Sequence, residues 1–204
     1  MELSKIVIYV DGPTEEGALK VKFCKEYYNN PEFRYGPGNG VNYSVEGYAK
    51  NVAPKIIFNL NSNIQAVILI PDLEKREKKD GISFKRFAEK IKKTIVSVIS
   101  EKCSFTEEYL NNVIYVCPSD IMFENWIISD VEGIKSNSLI KNDCMQMYYD
   151  GKNGSCVLKN IMKEKYKKTV HAQALYKYVN SEVGMKYSPS YSNFISTIYE
   201  LISK

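Results

Sequence analysis

The sequence predicts an α/β protein: a mostly parallel sheet flanked by helices, with a C-terminal helical extension. Three observations carry this. Residues 6–10, 66–70 and 112–117 are short apolar, β-branched runs of the kind that form strands buried on both faces. Stretches of helical periodicity separate them, and a strand–helix–strand unit closes right-handed over a parallel sheet. The first two runs also stop at turn-forming residues that carry an acid, Asp11-Gly12-Pro13 and Pro71-Asp72.

The elements follow in chain order. After the first strand, Thr14 is placed to cap a helix, Glu15 and Glu16 suit its positive end, and Leu19, Phe23 and Tyr27 make a stripe at every fourth residue. Residues 29–44 hold Gly36, Gly38 and Gly40 with Pro31 and Pro37, the composition of a long loop. Their G-P-G-N-G lacks the feeding strand and the G-K-[ST] of a phosphate-binding loop. A helix over 45–60, interrupted near Pro54, leads to the second strand. Ser83 then caps a helix with Phe84, Phe87, Ala88, Ile91, Ile95, Val98 and Ile99 at spacings of three and four. The third strand gives way at Pro118-Ser119-Asp120 to a helix over 121–130 that contains Phe123, Trp126 and Ile127, with Trp126 a core residue. The last helix has Ser188 as cap, Pro189 at its first position and Tyr191, Phe194, Ile195, Ile198, Leu201 and Ile202 on one face.

At 204 residues, against roughly 150 per domain, the chain reads as one domain over 1–204, with a core over about 1–134 and the helical extension over about 135–204. Its 44% hydrophobic and 25% charged residues exclude disordered and low-complexity classes. No apolar run approaches the ~20 residues of a membrane-spanning helix, and the N-terminus has no signal-peptide pattern, so a cytoplasmic protein without a membrane partner is expected. Five irregularly spaced cysteines without a C-x-x-C pair indicate neither a disulfide framework nor a zinc site, and most are expected to be buried. A single histidine, His171, excludes an imidazole-built metal centre. It sits in a lysine-rich stretch where an exposed or capping role is expected, and no G-x-S-x-G elbow exists. Any catalytic metal would be held by carboxylates, which suits Mg²⁺ or Mn²⁺.

The net charge of +4 is uneven: residues 75–93 and 151–178 carry +6 each, leaving −8 for the rest. Lysine-rich helices are commonly just solvated faces, but two basic segments on an acidic chain also suit a phosphate backbone. Lys75, Arg76, Lys78 and Lys79 in the first and Lys165 and Lys167 in the second are the candidate nucleic-acid contacts.

Sites in open α/β sheets form at the carboxyl ends of the strands, and this sequence places acids at each: Asp11 and Glu15 after the first strand, Asp72 and Glu74 after the second, Glu124 after the third. Taken singly, each acid is as well explained as a cap, turn former or surface charge. Unit charges 4 Å apart repel by ~4 kcal/mol even at an effective dielectric of 20, so the group calls for a cation among them, whether a metal ion or a lysine.

The order V-D-G-P-T-E-E (Val10 to Glu16), I-L-I-P-D-L-E (Ile68 to Glu74) and F-E-N-W-I-I-S-D (Phe123 to Asp130), with Lys165-Tyr166-Lys167-Lys168-Thr169 and the terminal S-P-S-Y-S-N-F, resembles small Toprim-like bacterial proteins of unknown function. Those carry V-E-G-x-T-E, a D-x-D-like motif, an E-x-W helix and a Y-x-K stretch, and the likeness spans nearly the whole chain. The resemblance implies a Toprim-like (Rossmann-like) fold related to the OLD-type nucleases, in which acids hold Mg²⁺ for phosphodiester chemistry. It puts Asp11, Asp72 and Glu74 at the metal, and Asp11, Glu15, Glu124 and Lys168 in catalytic roles. Asp11 stands where the family has glutamate, and Glu74 where D-x-D has its second aspartate; both keep the charge and change the reach by one methylene.

The reading that follows is an Mg²⁺- or Mn²⁺-dependent nuclease acting on DNA or RNA, with Lys167 or Lys168 offsetting transition-state charge. A bacterial defence role would be in keeping with nuclease relatives. The alternative is a non-catalytic or partner-activated effector working with an ATPase, beside which such relatives are often encoded. Sixteen tyrosines, Tyr27-Tyr28 and Tyr148-Tyr149 among them, would then offer interface or base-stacking surface, or else serve as half-buried amphipathic residues. A different phosphoryl-transfer enzyme is the third reading, without a recognisable nucleotide-binding loop.

Overall fold

Along β1 (Ile6–Val10) every side chain is buried, and the two-residue repeat sends Ile6, Ile8 and Val10 into one core and Val7 and Tyr9 into the other. The same alternation splits β3 (Ala66–Ile70). With β2 (Glu32–Tyr35) and β4 (Ile114–Val116) these strands form an all-parallel sheet in the order β2-β1-β3-β4. This computed structural model describes residues 2–27, 29–37, 44–73 and 83–204. The fold is a Rossmann-like α/β sheet flanked by helices.

The chain steps one way from β1 to β2 and back past β1 to β3 and β4. Right-handed crossovers therefore put α1 (Pro13–Glu26) on one face and α2 (Val45–Asn61) and α3 (Phe84–Ser100) on the other. Tyr48, Val52 and Ile56 of α2 and Phe87, Ile91 and Ile95 of α3 fill the second core, with Leu110 of α4 (Glu107–Val113). The face under α1 would be half bare, and the C-terminal third covers it. There lie α5 (Glu124–Ile127), a 3₁₀ turn (Ile128–Asp130), α6 (Val131–Ile134), α7 (Gly154–Ile161), α8 (Lys168–Tyr176), α9 (Ser181–Tyr187) and α10 (Pro189–Ser203). Trp126, Tyr176 and Phe194 share one core with Leu19 and Phe23 of α1 and with β1 and β3. The expected extension is thus the second wall of the sheet. Trp126 is fully buried, stacks on Phe194 at 4.9 Å and donates from Nε1 to Ser190 Oγ at 2.9 Å.

Several local expectations change. The loop expected over 29–44 contains strand β2, a half-exposed edge paired only with β1. Pro54 lies inside an unbroken α2; Pro54 and Lys50, whose carbonyl loses its partner, are both exposed, so water satisfies what the ring removes. Gly12, not Thr14, is the N-cap of α1, with Pro13 at the first position and Thr14 buried in the first turn. The helix expected over 121–130 is only Glu124–Ile127 followed by the 3₁₀ turn. The third predicted strand is shorter, its first residues belonging to α4. Of the cysteines, only Cys117 is buried; all five are free. Ser83 and Ser188 cap α3 and α10 as expected. No helix among the described residues is long and apolar enough to cross a membrane.

Candidate functional site

The strand order reverses between β1 and β3, and in open α/β sheets the crevice at that switch point is the binding position. Asp11 leaves β1 there and Asp72 follows β3. The backbone N–H of Asp72 donates to Asp11 Oδ2 at 3.1 Å, which ties the two strand ends together. Ser119, at the end of β4, donates its hydroxyl to Asp72 Oδ1. Leu73 N donates to Asp120 O at 2.8 Å, where Asp120 adopts the left-handed conformation at φ 61°, one that aspartate tolerates better than most residues.

Glu15 enters from the first turn of α1 and Glu124 from the first residue of α5, both buried. Lys168, the first residue of α8, closes the group: its Nζ lies 3.3 Å from Glu15 Oε1 and 3.8 Å from Glu124 Oε1. Tyr166, two residues earlier, donates to Glu124 Oε1 at 3.3 Å. Glu124 Oε2 is buried with no hydrogen-bond partner among the described residues. Gly154 sets how closely α7 seats against this corner, because a Cβ there would lie 2.8 Å from the backbone of Glu124 and Asn125. Asn125 fixes the loop before α7 by donating to Asp120 Oδ2 and to the carbonyls of Tyr149 and Lys152.

Glu15 and Glu124 thus contact one ammonium that Asp72 also feels, and the titration of the group follows. Burial, then the charges of Asp11 and Glu15, push the Asp72 carboxyl well above the usual aspartate range, against the Ser119 hydrogen bond and Lys168. Burial alone would lower Lys168; Glu15, Glu124 and Asp72 outweigh it and hold the ammonium above its usual value. Burial, then Glu124, pushes the Tyr166 phenol up, so it stays a donor.

Asp11, Glu15, Asp72, Glu124 and Lys168, named from the sequence, are brought together. Glu74 and Lys75, Arg76, Lys78 and Lys79 lie outside the described residues. Lys165 and Lys167 are exposed on the segment leading into α8. His171 is buried rather than exposed: Nδ1 accepts from Lys167 N at 2.9 Å and Nε2 faces Glu164 at 2.9 Å, which pins the turn that presents Lys168. Ser119 and the contact of Tyr166 with Glu124 were not anticipated; the only trace was the polar Pro118-Ser119-Asp120 at a strand end and the Tyr-x-Lys spacing. No group of three His, Cys, Asp or Glu side chains among the described residues stands in an arrangement that could hold a metal ion. The carboxylates of the corner outnumber its ammonium, and Glu124 Oε2 has no donor among the described residues.

Breaking the lysine contact leaves two buried carboxylates facing each other. Lys168→Met is expected to cost about 2 kcal/mol, below the ~3–5 of a fully buried pair because Lys168 is 46% exposed and water screens it. Adding Glu124→Gln should recover part of the loss. Thermal melts of the two variants check this; an unchanged melt for Lys168→Met would show the pairs to be energetically neutral.

The fold and this corner define a class: an all-parallel α/β protein with an acidic, lysine-closed site at its switch point. Beyond that class, the chain matches no family model, no curated protein and no solved structure.

Proposed function

We propose that the chain is a divalent-metal-dependent nuclease of Toprim-like type, cleaving phosphodiester bonds in DNA or RNA. One observation carries the reading: Asp11, Asp72, Glu15, Glu124 and Lys168, from five separate elements or loops, converge at the strand-order switch point. Asp11 and Asp72 would hold Mg²⁺ or Mn²⁺, with Glu74 from the adjoining segment, and the bound ion would supply an activated water and charge neutralisation. The chain's own contribution is a preorganised field. Lys168 sits where it offsets negative charge growing on a phosphate, Tyr166 and Lys168 orient Glu124, and Ser119 fixes the rotamer of Asp72. Glu124 is placed to take or return a proton. Lys165 and Lys167 flank the corner and would engage the phosphate backbone.

The burial of Asp72 favours one variation, in which a partner such as an ATPase opens the site and the isolated chain is a latent effector subunit. The test is cleavage of plasmid DNA and of tRNA with Mn²⁺ or Mg²⁺. Asp11→Ala and Asp72→Ala should each lower the rate at least a hundredfold while the circular dichroism stays that of the parent. Cleavage by the variants at the parent rate would refute the assignment.

A further inference from the structure

Beside the acidic corner, the edge strand β2 and helix α2 border an open groove of about 560 Å³ lined by the side chains of Tyr9, Arg34, Pro54, Lys55 and Phe58. Tyr9, a core residue, is at its floor, whereas Phe58 is 61% exposed. The Arg34 guanidinium lies 5.7 Å from the Phe58 ring centroid, and Glu32 holds its Nε at 2.7 Å. Lys55 Nζ donates to the carbonyls of Tyr35 and Gly36 at 3.0 and 3.2 Å, which fixes an ammonium at the end of the cleft nearest the strand ends. Two cations against the single carboxylate of Glu32 give this apolar-walled cleft a positive balance.

We propose that this cleft is a stacking seat for an unpaired base of single-stranded nucleic acid, with Phe58 as its platform and Arg34 and Lys55 as its phosphate contacts. An aromatic face takes any base because every base has a π-face, and Arg adds cation–π attraction. The cleft volume falls within the ~300–1,000 Å³ typical of small-molecule-sized sites, and a flat ring enters it only once it has left a duplex stack. Continuity with the acidic corner favours a strand over a free nucleotide. Gly36, whose carbonyl binds Lys55, sits so close to the corner that a Cβ added to it would lie 3.6 Å from Asp11 Oδ1. A base seated here leads the adjoining backbone toward Asp11. The inference deepens the nuclease reading and rests on it for the purpose of the seat, but its test does not need cleavage.

The test is fluorescence anisotropy in EDTA with labelled oligo(dT) and oligo(U) of roughly 12 nucleotides, within the ~4–16 typical of such sites, against a hairpin duplex of similar length. Single strands should bind in preference to the duplex. Phe58→Ala, exposed enough to leave the fold intact, should weaken them about tenfold. Binding of single strands by Phe58→Ala at parent strength, a preference for the duplex, no binding by the parent, or competition by free UMP equal to the oligomer would each overturn the seat. If Phe58 proves necessary for binding but no metal supports cleavage, the seat stands and the nuclease reading falls. If parent and Phe58→Ala bind and cleave alike, the seat alone falls.

Discussion

Asp72→Asn is expected to melt higher than the parent chain at neutral pH in EDTA, by a few degrees, and to lose metal-dependent cleavage. Asp72 is buried beside Asp11 and near Glu15, so its charged form is disfavoured in the folded state and its pKa stands above that of the unfolded chain. For an acid raised in this way, the folded state binds the proton more tightly. Its stabilising contribution is present in full below the unfolded aspartate value of roughly 3.9 and is lost as pH climbs through the raised folded value. At neutral pH the parent therefore bears the cost of holding that charge in a buried, acidic setting. Asparagine keeps the acceptor for Ser119 and turns N–H donors toward the neighbouring acids. The gain over the parent should shrink in acid, and melts from about pH 4 to pH 8 trace it. A variant less stable than the parent at neutral pH would mean that Asp72 is not a strained charge.

Trp126→Ala should be the most damaging single truncation, costing about 4 kcal/mol, or a Tm fall of roughly 10 °C for a chain of this size. The indole is fully buried, stacks on Phe194, tilts against Phe123 and Tyr191 and donates to Ser190. Deleting it removes the ring packing and leaves the buried Ser190 hydroxyl without that donor. Because Trp126 joins the sheet to α10, the variant should unfold in one shifted transition by calorimetry. Two separate transitions would show that the C-terminal helices fold apart from the sheet, contrary to the shared core.

What could be read from the sequence follows from where each signal is generated. β1 and β3 are central and buried on both faces, so continuous apolar runs are forced on them. Glu32-Phe33-Arg34-Tyr35 sits at the edge, half in water, and has no run to display; the glycines and prolines around it read as loop. Asp11, Glu15, Asp72 and Glu124 were legible because strand ends of an α/β sheet converge whatever the details. Lys168 followed from the resemblance, and its contact with Glu15 spans more than 150 residues of chain that no local pattern encodes. Ser119 meets Asp72 only because β4 lies in register beside β3. Trp126 was legible as core, but not that its core is the one under β1 and α1.

The C-terminal wall has a consequence for the order in which the molecule comes into being on the ribosome. Asp11 and Asp72 belong to strands synthesised early, whereas Tyr166 and Lys168, which neutralise and orient Glu15 and Glu124, emerge close to a hundred residues after the second of those strands. A nascent chain that has made its sheet still carries an unneutralised acidic corner and one bare sheet face. These later helices cover the face and bring in the ammonium together, so closure of the fold and completion of the corner are one event.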